Sequence, residues 1–275
     1  MQVVAGWFRR SVAVPGDHGS WVFLLGPLLI GLFAGGSWRA VSFYLVVACF
    51  AGFMVRQPLT LVVKILSGRR PRADLPAALF WIAVYSTIGL IHVAGLVLRG
   101  YGYVLWLALP GVPVFVWYLY LVSRRAERRQ LLVELLATAV LALSATAAFW
   151  VGRGRPDPLG WLLWLLTWAQ TAASIVYAYS RLRQRELPAP PPVTRRVASG
   201  RAALLCATTN LVLVFSLGAI GLVSPWLAAP YLVQWLEVWR GVLRPAIGLK
   251  PKAIGYRQLA VSALFTLLFI LAWSR

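Results

Sequence analysis

Long apolar stretches divided by short basic ones are the dominant pattern of this chain. A helix needs about 20 mainly apolar residues to cross the hydrocarbon core of a bilayer, and helix is favoured there because it satisfies its own backbone hydrogen bonds. Runs that meet or approach this length lie at 20–36, 40–55, 75–98, 103–122, 131–151, 159–180, 202–223, 225–243 and 258–273. They predict an all-α polytopic bundle of about nine transmembrane helices.

The cations between those runs give the bundle a direction. Arg9 and Arg10 precede the first span. Arg56, Lys64, Arg69, Arg70 and Arg72 follow the second, and Arg124, Arg125, Arg128 and Arg129 the fourth. Arg181, Arg183, Arg185, Arg195, Arg196 and Arg201 follow the sixth, and Arg240, Arg244, Lys250, Lys252 and Arg257 end or follow the eighth. One side therefore holds 22 of the 27 Lys and Arg, leaving Arg39, Arg99, Arg153, Arg155 and Arg275 for the other. Cytoplasmic loops carry the Lys and Arg excess, so the reading is N-terminus in, C-terminus out.

Composition agrees. A chain 60% apolar and 12% charged, with mean hydropathy +0.76, has too little polar surface to cover a water-soluble core. Its net charge of +20 would fit nucleic acid on a soluble protein. Between apolar runs it instead points to topology and to membrane lipid as partner, with no nucleic acid.

Residues 1–19 form a cytoplasmic N-terminal segment, and 20–275 read as one transmembrane helical domain. The opening MQVVAGWFRR lacks an apolar core and a cleavage site, so the first span is expected to be its own signal. The Pro/Arg-rich stretch 181–201, with Pro188, Pro190, Pro191 and Pro192, reads as a solvated polyproline-like linker. Cys49 and Cys206 both fall in apolar runs and read as small core hydrophobes.

Ionisable groups inside a span cost at least about 2.5 kcal/mol at mid-membrane and so face protein or water. Among the acidic residues, Asp17, Asp74, Glu127, Glu134, Glu186 and Glu237 all fall toward the basic side, so any polar site should open there. Glu237 lies inside the eighth run, three residues after Gln234 and three before Arg240, as either a ligand-binding patch or one half of an ion pair. Glu134 shares a helix face with Gln130 and Thr138, and Arg128 or Arg129 is its expected neutraliser. In the sixth run Thr167, Gln170, Thr171, Ser174, Tyr177 and Arg181 recur every three or four residues, a polar stripe that must turn inward. His92, in the third run, reads as a hydrogen-bonded core histidine. His18 stands beside Asp17 and Ser20 just before the first span and ranks as a site residue. Lys252 and Arg257, with Arg56, Arg124 or Arg181, offer cations for a phosphate or carboxylate. No phosphate-binding glycine loop, paired CxxC or HExxH is present, so neither cofactor nor metal is expected.

The segment Pro15 to Leu32, PGDHGSWVFLLGPLLIGL, resembles the N-terminal signature of the YwiC-like family of bacterial membrane proteins. The basic ends of the fourth and sixth spans, Glu134, and the stretch Pro251-Lys-x-x-Gly255-Tyr256-Arg257-Gln258 are similar to the same family, which extends the resemblance over nearly the whole chain. The resemblance implies a multi-pass protein of the bacterial cytoplasmic (inner) membrane. The nine-span layout and Tyr120-x-x-x-Arg124-Arg125 are also similar to UbiA-type prenyltransferases, whose acidic motifs near the ends of spans 2 and 6 hold magnesium and a prenyl diphosphate. Here those places read Phe53-Met-Val-Arg56-Gln57-Pro58 and Tyr177-Ala-Tyr179-Ser-Arg181, without the carboxylates that a hard magnesium ion needs.

Two function classes emerge. In the first, a cytoplasm-facing cavity lined by His18, Arg56, Glu134, Arg181, Glu237 and Lys252 binds an anionic amphiphile such as a lipid or isoprenoid. Were it catalytic, His18 or Glu237 would move the proton, and Asp17, Arg124, Tyr177 and Arg257 would help hold the ligand. In the second, Glu237, Glu134 and the polar stripe form a transporter's membrane-embedded path, which should continue to the outer face near His92. A docking partner using the arginine loops is a third reading.

Overall fold

The computed structural model describes residues 10–16, 18–127 and 130–273, the side chains of Arg10, His18 and Gly19 excepted. After a helical turn at Arg10–Ala13 it holds helices α1 (His18–Ala34), α2 (Ala40–Leu66), α3 (Leu75–Leu98), α4 (Gly111–Ser123), α5 (Leu131–Arg153), α6 (Leu159–Gln184), α7 (Val193–Ala219), α8 (Ala228–Leu243) and α9 (Pro251–Trp273). Each apolar run of the sequence has become a helix, and no strand occurs among the described residues.

Seven segments are long and apolar enough to cross a membrane, with α4 (13 residues) reaching that length only together with the 3-10 helix Gly102–Ala108 before it. The other two are short: α1 has 17 residues and α8 has 16, or about 24–26 Å at 1.5 Å per residue. The fold is therefore a polytopic helical bundle with seven spans of full length.

Helix ends follow local chemistry. Pro158 and Pro192 sit at the N-caps of α6 and α7, and Pro251 opens α9, where a missing N–H costs no helical bond. The left-handed Gly154 (φ 75°) closes α5. At the basic end the helices outrun their apolar runs: α2 continues through Arg56 to Leu66, α7 starts at Val193 and α9 at Pro251. The expected linker 181–201 is thus mostly helix, with only 185–192 between α6 and α7. Arg and Lys are good helix formers, so loss of apolarity marks the membrane boundary and not the helix boundary.

Helices α1, α5, α6, α7, α8 and α9 pack in sequence around a closed ring, with α6 also touching α1, α8 and α9. The α2–α3 pair and α4 lie outside it against α5. Lipid is as apolar as leucine, so burial does not drive such packing; close backbone approach does. In α1 a side chain on Gly31 would fall 2.2 Å from the Ala145 carbonyl, and just past its end one on Gly35 would fall 3.1 Å from Gly152. The facing surface of α5 is accordingly small, with Ala142, Ala145 and Ala148 fully buried. Large apolar side chains such as Leu90, Phe215 and Ile220 point outward, as lipid contact requires.

Two loops of the basic end are locked together. Arg69 donates to the Val122 carbonyl at 2.6 Å and to Glu127 at 2.6 Å. The Arg69 hydrogen bond holds the Glu127 carboxyl below the usual carboxylate range.

Candidate functional site

A cavity of about 690 Å³ lies between α1, α5, α6 and α9 at the basic end of the bundle. Its mouth is polar: Glu134 from the first turn of α5, Tyr179 near the end of α6, and Arg183, Arg185 and Glu186 beyond it. Tyr179 donates its hydroxyl to Glu134 at 2.7 Å. Its walls are apolar, from Val22 and Phe23 of α1, Ile175 and Leu182 of α6, and Ile254 and Leu259 of α9. Its floor is polar again, formed by Ser174, Gln258 and Ser262. From Pro251 at the mouth to Ser262 the descent along α9 is about 16 Å, beginning outside the apolar run 258–273 and ending just inside it.

The wall is open where α9 carries Gly255, because a side chain built there would meet nothing within 4 Å. The loop after α8 shapes the rim. Gly248 donates its amide to the Arg185 carbonyl at 3.3 Å, the Arg185 guanidinium donates to the Leu249 carbonyl at 3.2 Å, and Ala246 donates its amide to Gln184 at 3.4 Å.

Behind this cavity sits a second polar cluster. Glu237, only 8% exposed on α8, accepts from Tyr177 at 3.0 Å and from Arg257 at both carboxylate oxygens, while Arg240 stands 3.9 Å away. The ion pair expected with Arg240 is present but peripheral; Arg257 of α9 is the principal partner. Gly241 makes this possible, since a side chain there would lie 1.9 Å from the Tyr177 hydroxyl. Arg181, 8% exposed, donates to Gln184 at 2.8 Å, the Gly241 carbonyl at 2.6 Å and the Arg244 carbonyl at 2.7 Å. Its guanidinium thus holds the last turn of α8.

The single six-residue cavity expected from the sequence therefore divides. Glu134 lines the cavity, while Glu237, Tyr177, Arg181 and Arg257 form the adjoining cluster. Arg56 is on α2, stacked on Phe53 and 3.5 Å from Ser20. Arg124 lies at the end of α4 against Tyr120, apart from both places. Lys252 is exposed on the first turn of α9 and is not part of the cavity wall. Asp17 falls outside the described residues, as do Arg128 and Arg129. The backbone of His18 opens α1, one turn before the cavity-lining Val22.

All six members of the α6 stripe are buried, as the spacing required. Gln170 donates to Ser262 at 3.5 Å, and Gln234 of α8 donates to the Gln170 carbonyl at 3.0 Å. His92 donates from Nδ1 to the Ile88 carbonyl, 2.8 Å away, and packs on Phe43 and Tyr44 of α2. Sequence reasoning missed Gln258 and Ser262 as site residues. Their signal is a polar pair one turn apart inside an apolar run, and it was legible.

Among the described residues no group of three or more His, Cys, Asp or Glu is placed to hold a metal. Fold and cavity together define a polytopic helical membrane protein with a cavity of about 690 Å³ at its basic end. Residues 14–149 match the family described as YwiC-like protein. A curated relative, "Uncharacterized protein YwiC" of Bacillus subtilis (strain 168), is 25% identical over 175 residues, covering 63% of this chain and 68% of its own. By that match and that relative the chain is similar to the YwiC-like family over α1 to α4 and most of α5, and the stretch at Pro251 lies outside the match. No solved structure matches.

Proposed function

We propose that this protein binds a single-chain anionic amphiphile, a lipid fragment or isoprenoid, in the cavity between α1, α5, α6 and α9. The basic end and the N-terminus face the cytoplasm of a bacterial cytoplasmic membrane, in keeping with the distribution of Lys and Arg. The observation that carries this reading is the layering of the cavity: charged mouth, apolar walls, and a polar floor in the first turns of the apolar run of α9. A volume of about 690 Å³ is that of a small-molecule pocket and suits one chain with its head. Arg183 and Arg185 take the headgroup charge, which a guanidinium pairs well with phosphate or carboxylate.

If the bound molecule is transformed, a UbiA-like reaction would have to use arginines in place of carboxylate-held magnesium, with Glu134 or Tyr179 nearest the head. Glu237 is better assigned to holding Arg257 than to proton transfer, because its oxygens are already engaged. A transport path has weaker support. The polar seam of α6, α8 and α9 runs into Phe265, Phe269 and Trp273, and His92 stands on α3, away from it.

The test is native mass spectrometry of protein extracted gently in its own lipid. Wild type should retain a defined small amphiphile. Gly255→Leu should lose it while remaining folded, and Arg183→Ala/Arg185→Ala should retain less than a tenth. Wild type carrying only bulk diacyl lipid would refute the reading.

A further inference from the structure

The floor of the cavity is not what a plain hydrocarbon chain would select. Ser174 donates to the Gln258 side-chain oxygen at 2.9 Å, which leaves both N–H groups of the Gln258 amide to the cavity it lines. No hydrogen bond among the described residues uses that nitrogen. The Ser262 hydroxyl accepts from Gln170 at 3.5 Å and so keeps its own hydrogen to give. Gln258 opens the apolar run of α9 and Ser262 lies one turn further in, between apolar walls where an unused donor is costly. Beyond Ser262, between Gln170 and Thr266, only a second space of about 10 Å³ remains, enough for roughly one water. A chain entering from the mouth therefore ends or bends against donors.

We infer that the inner part of the bound chain carries a hydrogen-bond acceptor, a carbonyl or ether oxygen, that Gln258 and Ser262 read as the specificity-determining contact. This rests on the cavity being the amphiphile site. It adds what the mouth cannot supply: selection by the buried part of the ligand as well as by its head. A donor-lined pocket that meets an oxygen gains a net hydrogen bond worth about fivefold in affinity, and loses more when it meets only methylene.

The test offers purified protein, stripped of lipid, an equimolar mixture of octadecanoic acid and the same acid bearing a ketone at mid-chain. The bound ratio is read by native mass spectrometry. The wild type should hold about five keto acids for each plain one. Gln258→Leu, sized to keep α9 packed in an apolar setting, should bring the ratio below two, and Ser262→Ala should lower it partway. A ratio near one in wild type, or a preference unchanged in both variants, overturns the inference while leaving the cavity reading intact. Binding of neither acid to folded wild type overturns both.

Discussion

At the scale of single residues the two acids near the basic end behave differently because their partners do. Arg257→Met would leave a carboxylate that is 8% exposed with Tyr177 and a distant Arg240, whereas Glu237→Gln leaves a guanidinium that is 41% exposed and free to turn outward. Breaking a buried pair is most costly when the buried partner is the one left behind. Arg257→Met is expected to cost about 2–3 kcal/mol and Glu237→Gln about 1 kcal/mol, read from thermal unfolding in detergent. Equal losses would contradict the asymmetry.

Glu127 is a pH case. Its folded carboxyl lies below the ordinary value, so its contribution is present in full above that value and is lost as pH falls through the lowered one. The stability gap between wild type and Glu127→Gln should be constant at neutral pH and close under acid. A gap that widens on acidification would reverse the assignment. The sequence could not pair Glu237 with Arg257, because the two are 20 residues apart on different helices and only packing of α8 against α9 joins them. Arg240, three residues on, was the neighbour that spacing alone could offer.

At the scale of helices, glycine has opposite meanings in α1 and α9. Gly31→Ala drives a methyl into the backbone of α5 at Ala145, and should cost at least about 2 kcal/mol and separate the two helices. Gly255→Leu meets nothing and replaces a poor helix former by a good one, so unfolding should shift by less than about 1 kcal/mol, or upward. A large loss at Gly255 would mean that the cavity is filled. The apolar runs revealed where helices cross. They hid how far α2, α7 and α9 project beyond the membrane, since a charged helix and a charged loop look alike in apolarity. The inward stripe of α6 was legible from its period, but which helices it would face was not.

At the scale of the whole molecule, orientation and cavity stand together, because in the proposed orientation a site that opens at the basic end meets the cytoplasmic leaflet. In cells, with Cys49 and Cys206 replaced, a cysteine at Ala189 should resist an impermeant thiol reagent added outside, and one at Arg155 should react. The reverse pattern would turn the cavity to the outer face. The closed ring of six helices was beyond the sequence for a physical reason: apolar faces in lipid do not declare their neighbours, and small-residue contacts such as Gly31 on Ala145 decide them.

The most direct measurement captures what lies in the cavity. A photoreactive side chain at Ala178, inside it, is compared with one at Phe215, on the lipid-facing surface of α7, and the captured masses are read from membranes of living cells. Position 178 should trap a single-chain amphiphile distinct from the diacyl lipids trapped at 215. The same diacyl mixture at both positions would show that the cavity is ordinary lipid space and not a binding site.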